Sequence, residues 1–262
     1  MEKRLLGKTG EKLSIIGFGG IVVMNETQED ANKYVAEAID NGINYFDIAP
    51  TYGDAQERLG NALKPYRKSV FLSCKTILRT AKEVEKEFYN SLKMLHTDYI
   101  NLYQFHAVDT DKDIECILGK DGAMEFYMDA KKKGLIKHIG FSSHSQETAL
   151  KFLDKYCFDT VLFPINWAMW LKGDFGPELV EKAKKKGTAR LAMKSLCKSK
   201  IPQGEVNNYK KAWYKPIEDF ELAKLALKFT LSKDVTGALS PGYYKFLRWM
   251  LDIIKDYKPT IE

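Results

Sequence analysis

The sequence has no long apolar run. No stretch approaches the roughly 18 residues that a membrane-crossing helix needs, so no membrane partner is expected. Cysteine is scarce. Cys74, Cys116, Cys157 and Cys197 stand far apart with no C-x-x-C pair, which argues against a zinc ribbon or a cluster-binding module. They read as free thiols in a reducing compartment. There is no acidic cluster that would bind a metal, so no metal site is expected. The opening Met1-Glu2-Lys3-Arg4-Leu5-Leu6-Gly7-Lys8 has no apolar signal-peptide core, and a cytoplasmic location is the default expectation. Charge of one sign is also modest. With 41 Lys plus Arg against 35 Asp plus Glu, the net charge is +6, a slight bias toward anionic ligands such as a phosphorylated cofactor. Lys131-Lys132-Lys133 and Lys184-Lys185-Lys186 each end a helical pattern just before Gly, where they complement the helix dipole. No nucleic-acid reading motif accompanies them, so nucleic acid is not an expected partner.

What is there is an alternation. Short apolar runs of strand length switch repeatedly with longer amphipathic stretches. Strands are predicted over 13–20, 44–49, 69–74, 99–105, 137–142, 160–165, 189–193 and 235–239. Helices are predicted over 27–41, 54–63, 82–95, 123–133, 147–156, 177–186, 217–231 and 243–256. Thr27 is a candidate N-cap, Gly42 a candidate C-cap, and Pro177 suits a first helical turn. Strict alternation implies parallel strands with right-handed crossovers. Eight units of roughly 30 residues fit a closed (β/α)8 barrel. The competing open sheet would carry a Gly-rich phosphate loop after its first strand, and Gly17-Phe18-Gly19-Gly20 does not match G-x-G-x-x-G. The expected fold is therefore α/β, a single (β/α)8 TIM-barrel domain over residues 1–262.

Active sites of such barrels lie at the C-terminal ends of the strands. The second strand ends in Asp47, with Tyr52 in the loop beyond it. The third ends in Lys75, and the fourth in His106. Adjacent strands lie roughly 4.8 Å apart, so these side chains can converge. A lysine ammonium near a phenol favours the phenolate, which makes Tyr52 a candidate proton shuttle. A buried lysine needs a counter-ion, and Asp47 can supply it. His106 can donate a hydrogen bond to a carbonyl oxygen. The set suits proton transfer at a carbonyl or alcohol oxygen. An isomerase or lyase working without such a cofactor would need a phosphate site or a metal set.

Several segments resemble the aldo-keto reductase superfamily, and the likeness runs through essentially the whole chain. Arg4-Leu5-Leu6-Gly7-Lys8-Thr9-Gly10 with Leu13-Ser14 is similar to that family's N-terminal β-hairpin, which closes the bottom of the barrel. Phe46-Asp47-Ile48-Ala49-Pro50-Thr51-Tyr52-Gly53 resembles its signature after the second strand. Ser91-Leu92-Lys93-Met94-Leu95 with Asp98-Tyr99-Ile100-Asn101-Leu102-Tyr103 resembles the approach to its catalytic histidine, and Gly134-Leu135-Ile136-Lys137-His138-Ile139-Gly140-Phe141-Ser142 its fifth strand. The resemblance implies Tyr52 as proton donor, Lys75 and Asp47 as its tuning pair, and His106 as the carbonyl-orienting residue. It also implies a nicotinamide cofactor, usually NADPH with NADH possible, and a small-molecule carbonyl substrate. A monomer or small homo-oligomer is expected.

The chain departs from the family pattern where the cofactor would be held. Ser143 stands after Ser142 where the family commonly has Asn. Pro164 stands where it commonly has Gln, with Asn166 as a substitute candidate. After the seventh strand, Met193-Lys194-Ser195-Leu196 replaces a stacking Tyr and Ser-Pro-Leu. Met193 is expected to pack on the nicotinamide and Lys194 to reach the pyrophosphate. After the eighth, Ser240 begins a run in which Lys245 and Arg248 are the candidates for a 2′-phosphate. Gly20, at the end of the first strand, completes the candidate cofactor set. With no long C-terminal loop, the stretches 107–122 and 197–216 are expected to shape the pocket, with Tyr209, Trp213 and Tyr214 in the second and Trp167 and Trp170 after the sixth strand. These departures keep open a second reading, a non-catalytic nicotinamide-nucleotide sensor on the same fold.

Overall fold

The computed structural model describes residues 1–173 and 175–257. The chain opens with a hairpin, β1 (Lys3–Leu5) and β2 (Lys12–Ser14), paired antiparallel with Arg4 opposite Leu13. Eight parallel strands follow and close on themselves: β3 (Ile16–Gly19), β4 (Tyr45–Asp47), β5 (Phe71–Thr76), β6 (Ile100–Phe105), β7 (Ile136–Ser142), β8 (Thr160–Pro164), β9 (Ala189–Met193) and, after a small antiparallel pair β10 (Cys197–Ser199) and β11 (Lys215–Pro216), β12 (Gly237–Leu239). The expected TIM barrel and its bottom-closing hairpin are both present. The single run predicted over 13–20 is divided: Leu13 and Ser14 belong to the hairpin, and Gly20 opens a short 3-10 turn, Gly20–Val23.

Helices fill the connections as the amphipathic stretches predict. Thr27 caps α1 (Gln28–Asp40) by accepting from the Asp30 N–H, and Gly42 follows that helix at φ +87°, a conformation glycine adopts without strain. The other barrel helices are α2 (Ala55–Leu63), α3 (Ala81–Met94), α5 (Ala123–Lys132), α6 (Gln146–Lys155), α8 (Pro177–Lys185), α9 (Phe220–Leu231) and α10 (Tyr244–Lys255). The stretch 107–122 is not a plain loop. It holds α4 (Asp111–Leu118), whose capping box pairs Thr110 with Asp113. A short helix, α7 (Trp167–Lys172), follows β8. No described helix is long and apolar enough to cross a membrane.

The period-2 alternation of the strands sorts the barrel interior into two levels. At the floor, Leu6 and Leu13 of the hairpin segment pack with Tyr45, Phe71, Leu102, Leu162, Leu191 and Leu239. Further along the same faces, the register places Asp47 opposite Ser73 and Lys75 opposite Gln104. The polar residues gather on β4, β5 and β6, while Leu162 and Leu239 of the apolar cluster extend up to the cavity. The larger core lies outside the strands, between barrel and helices, where residues such as Phe88, Phe105, Phe141, Phe152 and Phe158 are fully buried. Each such side chain contributes about 1.5–3 kcal/mol on burial.

Gly60 shows how tightly that outer layer is set. A Cβ there would run into the Met94 carbonyl and lie 2.8 Å from Leu95 Cα. Helix propensity alone favours Ala over Gly by about 1 kcal/mol, but a backbone-to-backbone approach cannot yield without moving α2 off α3. Gly60→Ala is expected to destabilise the fold by about 1–3 kcal/mol, read as a lower urea midpoint with an unchanged m-value.

Candidate active site

Four polar side chains meet at the C-terminal mouth of the barrel because of where their strands end. Asp47 is the last residue of β4 and Lys75 the fifth of β5, both on inward faces and both 2% exposed. They form a buried ion pair. Asp47 Oδ1 also accepts from Ser73 Oγ at 3.0 Å and from Gln104 Nε2 at 3.2 Å, and Gln104 Nε2 lies 2.8 Å from Ser73 Oγ. Tyr52 sits in the turn after β4, with its N–H on the Ala49 carbonyl, and Gly53 at φ +55° lets the chain turn back into α2. Its ring centroid is 5.3 Å from Lys75 Nζ. His106 extends β6 by donating its backbone N–H to Thr76, and its ring stands edge-on to Tyr52 at 6.2 Å and 88°.

These four line one cavity of about 450 Å³, together with Gly19, Thr51, Ser142, His144, Leu162, Met193, Lys194, Lys211, Trp213, Tyr214, Leu239, Ser240 and their neighbours. Such a volume suits a small molecule or part of a cofactor. Among the described residues no group of three or more His, Cys, Asp or Glu side chains is placed to hold a metal ion.

The electrostatics differ from the sequence expectation at Tyr52. Burial raises the phenol's pKa, and Asp47 adds to that rise. Lys75 opposes it without reversing it. The phenol therefore keeps its proton at neutral pH instead of shedding it. Burial works against a charged Lys75, yet Asp47 and Tyr52 beside it hold the ammonium well above its ordinary range. His106 goes the other way. Burial, then the nearby Lys75, His144 and Arg79, lower its pKa to about 3. Its Nδ1 is buried without a partner, so Nε2 is the ring nitrogen open to the cavity.

Of the candidate cofactor residues, Ser142, Met193, Lys194 and Ser240 line the cavity. Ser142 Oγ accepts from the Ala107 N–H at 2.9 Å, and Ser240 Oγ from the Gly19 N–H at 3.0 Å. Lys194 has a positive φ of 61°, and burial lowers its pKa. Ser143 is turned away, with its hydroxyl on Asp109 at 3.0 Å and on the Ser145 carbonyl at 2.9 Å. Asn166 is fully buried and caps α7, its Oδ1 accepting from the Met169 N–H, which a short polar side chain at a helix start favours over reaching outward. Ser195 and Leu196 are buried away from the cavity, and Gly20 is packed against Ile48 and the Asp47 carbonyl. Lys245 and Arg248 lie on the exposed face of α10, Lys245 over the Trp249 ring at 4.6 Å and Arg248 beside Glu37 at 3.4 Å. They do not reach the cavity.

The segment 197–216 does help to cover it. Lys211 donates from Nζ to the Val22 carbonyl at 3.2 Å and pairs with Glu26, while Trp213 and Tyr214 join the lining. Tyr209 packs on Tyr243 and Phe246 instead, and Trp170 on Phe229. Sequence reading missed Ser73 and Gln104, which share the inward parity of Asp47 and Lys75. It also missed Arg79, which holds the segment after β6 through the His106 carbonyl at 2.8 Å, the Ala107 carbonyl at 3.0 Å and Asp113 at 2.9 Å.

With this geometry in place, comparison with known proteins is decisive at the level of family. The Aldo/keto reductase family profile matches residues 15–242. The chain belongs to the aldo/keto reductase family. It is 32% identical over 185 residues to aldo-keto reductase YhdN of Bacillus subtilis, covering 63% of this chain and 54% of that protein. Over 124 residues it is 33% identical to L-galactose dehydrogenase of Arabidopsis thaliana, covering 42% of this chain and 39% of that protein. The chain spans about half the length of YhdN and of the B. subtilis oxidoreductase YqkF, 54% and 53%. The holo form of aldo-keto reductase AKR11C1 from Bacillus halodurans superposes with a TM-score of 0.77 at 22% identity, over 100% of this chain and 93% of the other, a likeness of fold.

The lowered His106 pKa makes stability depend on pH in a definite direction. Between about 3 and the ordinary 6.5 of an unfolded histidine, the unfolded chain binds a proton that the folded chain does not, so stability falls as pH falls through that window. His106→Gln removes this term. Relative to the parent, the variant is expected to gain about 1–2 kcal/mol on going from about pH 7 to about pH 5, measured by urea midpoints at both pH values.

Proposed function

We propose that the chain is an NAD(P)H-dependent oxidoreductase that reduces a small aldehyde or ketone to the alcohol, with Tyr52 as proton donor. The observation that carries this reading is a phenol, a lysine paired with a carboxylate and an imidazole lining one cavity, in surroundings that favour a protonated phenol, a charged lysine and a neutral imidazole. A nicotinamide coenzyme, when bound, supplies a hydride to the carbonyl carbon. The donor set fits that group at its nicotinamide end. Ser142 presents a hydroxyl to the cavity, Met193 a polarizable apolar surface, and Lys194 a cation suited to a pyrophosphate. NADPH is the proposed coenzyme on the family resemblance, with NADH as the alternative, and no cation is assigned to a 2′-phosphate.

The chain's own residues manage the oxygen. His106, kept neutral, donates its Nε2–H to the carbonyl oxygen and fixes its direction. As the carbon–oxygen double bond opens and negative charge develops on oxygen, Tyr52 transfers its hydroxyl proton there. The phenolate left behind faces Lys75, whose charge lowers the cost of forming it. Asp47 keeps that lysine charged and aimed. Ser143, Asn166, Ser195, Leu196, Gly20, Lys245 and Arg248 have no part in these steps.

Purified protein is expected to oxidise NADPH with 4-nitrobenzaldehyde, followed by coenzyme absorbance. Tyr52→Phe should lose that activity by about 10²–10⁴-fold while still quenching tryptophan fluorescence on coenzyme addition. Lys75→Met should lose about 10²-fold or more. Undiminished turnover by Tyr52→Phe would remove the assigned donor. Tight coenzyme binding by the parent with no turnover of any carbonyl would favour the nucleotide-sensor reading instead.

A further inference from the structure

A second imidazole lines the cavity, and the reduction step leaves it without a task. His144 follows β7 by two residues. Its partner is Asp109, from the segment between β6 and α4. One Asp109 oxygen accepts from the His144 N–H at 2.5 Å and from Ser143 Oγ at 3.0 Å, and the other faces His144 Nδ1 at 3.4 Å. Burial would raise the Asp109 carboxyl, but these contacts with His144 and Ser143 bring its pKa down to about 2. Both oxygens are thus ionised and occupied by neighbours. With Nδ1 committed to Asp109, Nε2 is the nitrogen left for a ligand.

The surroundings favour an anion there. Ser145 is the N-cap of α6, so the positive end of a helix ten residues long begins beside His144. Among the described residues lining the cavity Asp47 is the sole carboxylate, and it is paired with Lys75. Asp109 is the hydrogen-bond partner of His144, and His106, Lys75, Lys194 and Lys211 share the cavity wall with it. Glu147 on α6 is taken by Lys151 at 2.9 Å.

We propose that His144, backed by Asp109, is a specificity residue that binds the carboxylate of an oxo-acid substrate while the substrate's carbonyl sits at Tyr52 and His106. The proposal rests on the reductase reading and adds a substrate class to it: aldehydes or ketones that carry a carboxylate near the carbonyl. The bound form is the imidazolium, Nδ1–H on Asp109 and Nε2–H on the substrate, with the extra proton taken from solvent. His106 remains neutral because burial and Lys75 hold it so, which leaves one imidazole to read charge and the other to orient the carbonyl.

The test compares 2-, 3- and 4-carboxybenzaldehyde with their methyl esters, which have the same carbonyl and no charge. The readout is the ratio of kcat/KM for acid over ester. For the best-placed isomer the parent enzyme is expected to favour the acid. His144→Ala should cut the ratio by about tenfold. His144→Arg, which keeps a cation at that place, should restore it. A ratio indifferent to His144→Ala overturns the proposal, as does an equal loss on acid and ester with weakened coenzyme binding. A parent enzyme that reduces the esters under those conditions leaves the reductase reading intact. One that binds coenzyme and reduces neither overturns that reading and this proposal with it.

Discussion

The buried pair between Asp47 and Lys75 is the constraint on which the rest of the site depends. Taking two charges out of water costs several kcal/mol per ion, and removing one partner of such a pair typically destabilises by about 3–5 kcal/mol. Here the geometry supplies the compensation. Asp47 has further donors in Ser73 and Gln104, so its oxygens are occupied and its carboxylate cannot swing away from the lysine. The charge that results on Lys75 is then felt by both aromatic rings at the mouth. It opposes the burial that raises the Tyr52 phenol, and it helps to push the His106 imidazole toward its neutral form. One ion pair therefore acts on both rings, pulling the phenol down against the larger effect of burial and adding to the effect of burial on the imidazole.

The cavity around that pair is made by segments outside the strands. Lys211 ties the 197–216 segment to the turn after β3 through the Val22 carbonyl and Glu26. A Cβ at Gly242 would stand 2.5 Å from the Lys211 carbonyl, so the loop after β12 and this segment are in backbone contact. On the other side, Arg79 holds the His106 and Ala107 carbonyls, and α4 continues from there. The wall is thus two covers anchored on a rigid rim, a usual arrangement for barrels, which vary their chemistry through their loops.

The barrel was legible because period-2 and period-3.6 patterns alternate without interruption, and because strand ends are where polar residues gather on inward faces. Asp47, Lys75 and His106 follow from that alone. Ser73 and Gln104 share that inward parity, two residues before Lys75 and His106, but a hydroxyl and an amide one layer below the rim read equally as ordinary buried polar residues. The helix in 107–122 had a signal, Thr110 three residues before Asp113, which a capping-box reading finds. Asn166 could be placed after β8 but not assigned, since one short amide serves equally to cap a helix or to meet a ligand. Its Oδ1 went to the Met169 N–H. The direction of the Tyr52 shift was misjudged for a related reason. The lysine is visible in sequence, whereas the extent of burial that outweighs it is a property of the closed mouth.

The two histidines of the cavity sit in opposite electrostatic settings. His106 lies beside Lys75 and the Arg79 guanidinium, with Nδ1 buried and unpartnered, and every charge close to it except Asp109 disfavours a proton. His144 lies further out, 39% exposed at the side chain, with an ionised carboxylate of its own on Nδ1. If both were charged they would repel each other and Lys75 across a small cavity. The two rings thus stand in opposite electrostatic settings on one wall, the inner one among cations and the outer one against a carboxylate.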